Sequence, residues 1–189
     1  MLQKNFAATK KTRGSGRSCH RSSPIDPRQT RSEIVALLPR LRRFARALTG
    51  NASDADDAVQ AGVERALKSL DQFQPGTRLD SWLFKVVKNA WIDEVRGRQR
   101  RDRIFAPSED GDTVGGAGAE AYEARRQLQE VEMAMQELPE EQRTAIALIC
   151  IEGLSYTEAA EILDVAVGTL SSRLTRGREA LLARLGGSR

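Results

Sequence analysis

Residues 138–181 read LPEEQRTAIALICIEGLSYTEAAEILDVAVGTLSSRLTRGREAL, and the reading of this stretch decides the fold class. Leu138-Pro139 breaks the pattern before it, and proline suits the first turn of a helix, where a backbone N–H has no partner anyway. Ala145, Ile146, Leu148, Ile149 and Ile151 then predict a short, strongly apolar helix ending at Gly153. Cys150 falls in this run and reads as a small core residue. Ser155 and Glu158 stand in the S-x-x-E spacing of a capping box, in which each side chain satisfies a free backbone N–H of the other residue. Such a cap contributes about 1 kcal/mol. Ala159, Ala160, Ile162 and Leu163 make the helix small on one side and apolar on the other, so a second helix can cross it closely. Residues 164–168 (DVAVG) supply a short turn, and a second helix is predicted from Thr169 to about Leu185.

On that second helix Leu170, Leu174, Leu181 and Leu185 face inward, leaving Thr169, Ser171, Ser172, Arg173, Thr175, Arg176 and Arg178 outside. An outer face of arginine, serine and threonine, with hardly an acid before Glu179, matches the chemistry of a DNA major groove. Taken alone, the same pattern also describes the solvated face of an ordinary helical hairpin.

Upstream the helical spacing continues. Ile34, Leu37, Leu38, Leu41, Ala45 and Leu48 form one stripe, stopped by Gly50-Asn51. Ser53 is expected to cap the next helix, with Asp54, Asp56 and Asp57 in its first turn, where the helix dipole favours acids. Val59, Val63, Ala66, Leu67 and Leu70 form its buried stripe, and Asp54, Asp57, Gln60 and Glu64 its other face. After the turn at Pro75-Gly76 comes a third stripe of Trp82, Leu83, Val86, Val87 and Ala90, continuing to Ile92 and Val95. It runs into Arg96, Arg98, Arg100, Arg101 and Arg103. Residues 106–119 (APSEDGDTVGGAGA) carry four glycines and three acids and read as a flexible linker, after which Leu128, Val131 and Met135 form a sparse stripe.

The expected fold is therefore all-α: two small helical domains joined by a flexible linker, the second a helix-turn-helix. Boundaries are placed at 1–30 for a disordered basic tail, 31–104 for the first domain, 105–119 for the linker and 120–189 for the second domain. Residues 1–31 hold eight Lys/Arg against Asp26 alone. The 22 basic and 25 acidic residues that remain give 32–189 a charge of about −3, so the overall +4 hides a patchwork. Aromatics make up only 5% of the chain, which predicts a core of Leu, Val, Ile and Ala. No apolar run approaches the ~18–20 residues that span a bilayer, and no hydrophobic signal segment opens the chain, so no membrane insertion and a cytoplasmic location are expected. Cys19 and Cys150 are the only cysteines and His20 the only histidine, which points away from a disulfide framework and a four-ligand metal site. No nucleophile–base pair or phosphate-binding glycine loop is recognisable either, so neither an enzyme nor a cofactor is expected.

The stretch 138–181, with its G-T-L-x-S-R-x-x-R-x-R core, closely resembles the promoter-binding C-terminal domain of extracytoplasmic-function (ECF) sigma factors. DADDAVQ (Asp54–Gln60) and RLDSWLFKVVKNAWIDEVRGRQRR (Arg78–Arg101) resemble the other half of the same sigma-70 family, in the right order. The likeness spans roughly 32–185. It implies a transcription initiation factor whose partners are core RNA polymerase (the β′ clamp helices and the β flap), promoter DNA and an anti-sigma factor. By the same likeness Asp54, Asp57 and Gln60 bind polymerase, although from the residues alone they are equally a solvated face. Asn89, Ala90 and Trp91 fall where the family captures a −10 base, and Trp91 reads as well as a core aromatic. Arg96, Arg98, Arg100 and Arg101 are implied to hold the DNA backbone; four neutralised phosphates would give a log–log salt slope of about −3.6. Thr169, Ser171, Ser172, Arg173, Thr175, Arg176 and Arg178 are implied to meet the −35 element.

This sequence also departs from the family. Ser171 and Thr175 are smaller than is common there, Gly177 replaces a usual alanine, and Asp164 and Ala166 replace the usual glycine and proline of the turn. The rival readings are a dimeric helix-turn-helix repressor on a palindromic site, which leaves the 54–101 block without a role, and a structural helical adaptor.

Overall fold

The computed structural model describes residues 27–70, 73, 78–102 and 119–186, all of the regular structure helical. In chain order the helices are α1 (Pro27–Thr49), α2 (Ala52–Lys68), α3 (Leu79–Asp102), α4 (Ala119–Gln136), α5 (Glu140–Ile146), α6 (Tyr156–Leu163) and α7 (Val167–Gly186). A π-helical turn, Ala147–Ile151, extends α5. Most of the basic tail, Cys19-His20 and most of the predicted linker lie outside the described residues. Helix α1 begins at Pro27, so residues 27–30, assigned above to the tail, are helical, and Thr30 is buried. No described helix is long and apolar enough to cross a membrane. Among the described residues no group of three or more His, Cys, Asp or Glu is placed to hold a metal ion.

Helices α1, α2 and α3 pack as a three-helix unit. Leu41, Phe44, Ala45 and Leu48 of α1 meet Val59 and Ala66 of α2 and Leu83, Phe84 and Val87 of α3. The core is not the purely aliphatic one that the composition predicts, because two of the few aromatics stand at its centre. Phe44 and Phe84 are fully buried, edge to face with ring centroids 5.0 Å apart, a geometry that adds to plain area burial. Gly62 sets the α2–α3 distance, because a Cβ there would lie 2.7 Å from Val87 Cγ2 and 3.0 Å from Val87 Cα. The cap of α2 is Asn51 rather than Ser53. With Gly50 ending α1, Asn51 is extended (φ −138°, ψ 159°) and its side chain accepts a 2.7 Å bond from the Asp54 N–H.

In the second half the helix-turn-helix is α6–α7. The capping box forms in full: the Glu158 N–H donates to Ser155 Oγ at 3.3 Å and the Ser155 N–H to Glu158 Oε2 at 2.9 Å. Helix α7 starts at Val167, two residues before the expected Thr169. Gly177 is buried where α7 crosses α5, and a Cβ there would stand 2.9 Å from Ile146 Cδ1 and 3.1 Å from Gln142 Cβ. Its propensity cost of about 1 kcal/mol is thus offset by a close helix contact. Cys150 is exposed, not a core residue, because the widened π turn carries it out of the apolar stripe to the side of Arg178.

The turn between α6 and α7 passes through Asp164 in the left-handed region (φ 55°, ψ 49°). That conformation crowds the Cβ of any L residue, though aspartate tolerates it better than most. Asp164→Gly is therefore expected to stabilise the protein by up to about 1 kcal/mol in urea titration. A midpoint that stays or falls would mean the aspartate side chain contributes more than the strain removes.

The two halves are not merely tethered. Their buried residues form one continuous cluster, with α1 against α4, α5 and the π turn and α3 against α6.

Candidate nucleic-acid interface

Helix α7 holds its outward residues on one rigid face because Leu170, Leu174 and Gly177 anchor the opposite side. Thr169, Ser171, Ser172, Thr175, Arg176 and Arg178 are exposed, while Arg173 is half-buried. The three arginines differ in what they already touch. Arg173 Nη2 pairs with Glu141 at 3.0 Å, and Arg178 Nη2 lies 3.3 Å from Cys150 Sγ, the contact that raises the Arg178 pKa most. Arg176 has no partner among the described residues, so its five donors are open to an incoming acceptor. Ser172 Oγ donates back to the Gly168 carbonyl at 3.0 Å, which leaves its lone pairs but not its proton for a ligand.

The second group of candidates lines a cleft of about 380 Å³ between α2 and α3. Asp54, Asp57, Ala90, Trp91 and Arg98 all border it, so residues singled out for two different partners meet in one place. Asp54 is not a free acid: Arg98 Nη2 donates to its Oδ1 at 2.5 Å and Asn51 Nδ2 donates to its Oδ2 at 2.8 Å. The Arg98 bond holds the Asp54 carboxyl below its ordinary pKa against the opposing effect of burial, and the same bond raises the Arg98 pKa. Arg98 also bonds Glu94 at 3.0 Å and lies over the Trp91 ring, 5.7 Å from its centroid.

Asp57 and Gln60 are exposed; Gln60 Nε2 reaches Glu64 at 3.3 Å, and Asp57 has no partner among the described residues. On α3, Asn89 is exposed, whereas Ala90 is 3% and Trp91 9% exposed, as a core reading of that aromatic predicts. Arg96 and Arg100 project to solvent, with Arg100 Nε donating to the Arg96 carbonyl at 3.1 Å. Arg101 is the last residue but one of the helix, and its side chain lies outside the described residues.

A third cluster was not legible in the sequence. Arg40 and Arg43 of α1 converge on Glu152, which follows the π turn, and Arg40 also bonds Asp80 of α3 at 3.1 Å. Burial pushes the Asp80 carboxyl up, and the hydrogen bonds from Arg78 and Arg40 outweigh it, so its pKa is lowered. Arg78 pairs in turn with Glu158 of the capping box. Arg40 and Glu152 are 112 positions apart, so no local spacing signals the contact.

Residues 34–101 match the family Sigma-70 region 2, and residues 128–181 match Sigma-70, region 4. Over 162 residues the chain is 40% identical to the ECF RNA polymerase sigma factor EcfG of Rhodopseudomonas palustris (strain TIE-1), covering 82% of this chain and 84% of that protein. The co-crystal structure of the sigma factor RpoE with the anti-sigma factor NepR from Bartonella quintana contains a chain that matches with a TM-score of 0.70 and 32% identity, over 86% of this chain and 99% of that one. The structure of CnrH with the cytosolic domain of CnrY gives a TM-score of 0.66 at 26% identity, over 89% of this chain and 94% of that one.

Proposed function

The chain is an ECF RNA polymerase sigma factor of the sigma-70 family, a transcription initiation factor, and from that premise we propose which of its surfaces meets which partner. The first domain, assigned to residues 31–104, docks on core polymerase through Asp57, Gln60 and the rim of the α2–α3 cleft. Arg96, Arg100 and Arg101 follow the DNA backbone beside the −10 element, and Asn89 is the accessible residue for an unstacked base. The second domain, assigned to residues 120–189, presents α7 to the −35 major groove with Arg176 as its leading contact. The single observation that carries this reading is the outer face of α7. It is anchored from behind, free of acids along its first three turns, and offers an unpaired guanidinium at its centre.

Polymerase supplies the catalysis in this scheme, and the sigma factor acts by binding and by positioning DNA. An anti-sigma partner belongs to the proposal because one matching solved structure is a complex of a sigma factor with the anti-sigma factor NepR.

Purified core polymerase plus this protein on a library of double-stranded promoters tests the scheme. Start-site selection dependent on the protein is the expected result; tight DNA binding without polymerase and no selection would favour the repressor reading. Asp57→Ala should weaken competition for core enzyme about tenfold, as expected for loss of one charge-assisted hydrogen bond, with the melting temperature unchanged because Asp57 is exposed. Unaltered competition would remove Asp57 from the polymerase surface. Asp54→Ala is the less clean variant, since it also removes one of the two carboxylates that hold Arg98.

A further inference from the structure

We propose that Arg98 is a positioning residue for the −10 step: it braces the Trp91 wall beside Asn89 from within the α2–α3 cleft and does not hold the DNA backbone. The proposal rests on the −10 reading above. Of the three arginines of α3 whose side chains are described, Arg98 alone pairs with carboxylates of the described residues. Its Nη2 donates to Asp54 Oδ1 at 2.5 Å and its Nε to Glu94 Oε1 at 3.0 Å. The guanidinium carbon stands 5.7 Å from the centroid of the Trp91 ring. Its two anchors lie on different helices. Asp54 is in the first turn of α2, where Asn51 holds it twice: Asn51 Nδ2 donates to Asp54 Oδ2 at 2.8 Å, and the Asp54 N–H donates to Asn51 Oδ1 at 2.7 Å. Glu94 lies one turn before Arg98 on α3 itself. A planar fork fixed at two of its nitrogens, from two helices, has little freedom left to swing.

A phosphate approaching Arg98 would meet one positive charge against two negative ones, because both carboxylates bond the same guanidinium. Arg96 and Arg100 present no such repulsion: both are exposed, and neither pairs with an acid among the described residues. What Arg98 does touch is the indole. The other apolar residues lining the cleft are Ala58, Ala61 and Ala90, whose side chains end at Cβ and are too short to cover a ring of that size. The guanidinium supplies the cover on this side, a contact that gains from the ring's quadrupole and from the carboxylates that fix the cation over it. Trp91 thus stays buried although it borders an open cleft. Through Ala90 it adjoins Asn89, the exposed residue proposed above for an unstacked base. Capture of such a base needs a wall already in place, since any ordering cost is subtracted from the binding.

Fluorescence of Trp91, the sole tryptophan after Trp82→Phe, reports the brace in the isolated full chain. Arg98→Lys keeps the charge but replaces the fork with a single ammonium, which cannot span Asp54 and Glu94 while covering the ring. Arg98→Lys and Arg98→Met should both shift the Trp91 emission to the red and raise its quenching by acrylamide. With core polymerase and a promoter, permanganate reactivity of unpaired thymines at the −10 element should fall about tenfold in both, the equivalent of one charge-assisted hydrogen bond lost. The log–log salt slope of promoter binding should stay at the parent value. Opening at the parent level in Arg98→Lys, or a slope reduced by about 0.9 in Arg98→Met, would overturn the proposal and return Arg98 to the DNA backbone. If Arg98→Met does not fold, Arg98→Lys and Asp54→Asn, which weakens the α2 anchor without changing its shape, decide by emission: an unmoved spectrum in both overturns the brace. Failure of the parent protein to open any promoter would sink the −10 reading instead, and the Trp91 spectra would still show whether Arg98 covers the ring.

Discussion

Phe84→Ala is expected to cost about 3–5 kcal/mol and to cost the first half its cooperative thermal transition. Its ring is fully buried where α1 and α3 meet, edge-on to Phe44 at 5.0 Å, so truncation leaves a cavity in a close-packed core. A helical unit of this size has little to spare, since a whole domain is stable by only about 5–15 kcal/mol and small ones sit at the low end. The damage should also reach beyond the core. Arg40 lies over the Phe84 ring at 5.3 Å while bonding Asp80 and Glu152, so removing the ring loosens the arginine that ties the halves together. Phe84→Leu, which keeps much of the volume, should retain a cooperative transition with a smaller loss. Circular dichroism melts of the two variants beside Phe44→Ala provide the check. An Ala variant melting within about 1 kcal/mol of the parent would show that the cavity collapses and that the aromatic pair is dispensable.

The places where this fold could and could not be read from sequence follow from the range of the forces involved. Helix positions were legible because the 3.6-residue period and the capping box are local, and Ser155 with Glu158 forms as its spacing predicts. Asn51 against Ser53 was a contest between two competent caps, settled by where Gly50 ends the preceding helix. Phe44 and Phe84 escaped because a low aromatic content says nothing about where the few aromatics go. Cys150 leaves the core position its sequence context predicts because a π turn shifts the register within an otherwise regular apolar run. Glu152 could not be found at all: beside Gly153 it looks like any solvated acid, and only tertiary packing brings Arg40 and Arg43 to it. For the candidate DNA surface the residue types were legible, but not their partners. Asp54 with Arg98 and Arg173 with Glu141 are paired, which separates them from the open Asp57 and Arg176.

That separation leads to the largest expected effect on function. Arg176→Ala should reduce initiation at promoters that depend on the −35 element by about 5- to 150-fold, the equivalent of the 1–3 kcal/mol of a bidentate arginine–base contact. Ser171, Ser172 and Thr175 are small, so the exposed face of α7 around Arg176 is uncrowded, and in the proposed docking its guanidinium is free to reach a base edge. Arg173 would have to leave Glu141 and Arg178 the Cys150 sulfur before either could do the same, and both departures subtract from the gain. The loss should be selective: sequence preference within the −35 element flattens at one position, while binding of core polymerase, proposed above for the other half, stays intact. Arg96→Ala supplies the contrast. A phosphate contact should weaken all promoters alike and reduce the steepness of the salt dependence by about 0.9 in log–log slope. If Arg176→Ala behaves as Arg96→Ala should, with uniform weakening and an unchanged promoter profile, then α7 is held to the backbone at this point. The base-reading role must then fall to Arg173 or Arg178, after release from the contacts that occupy them in the free protein.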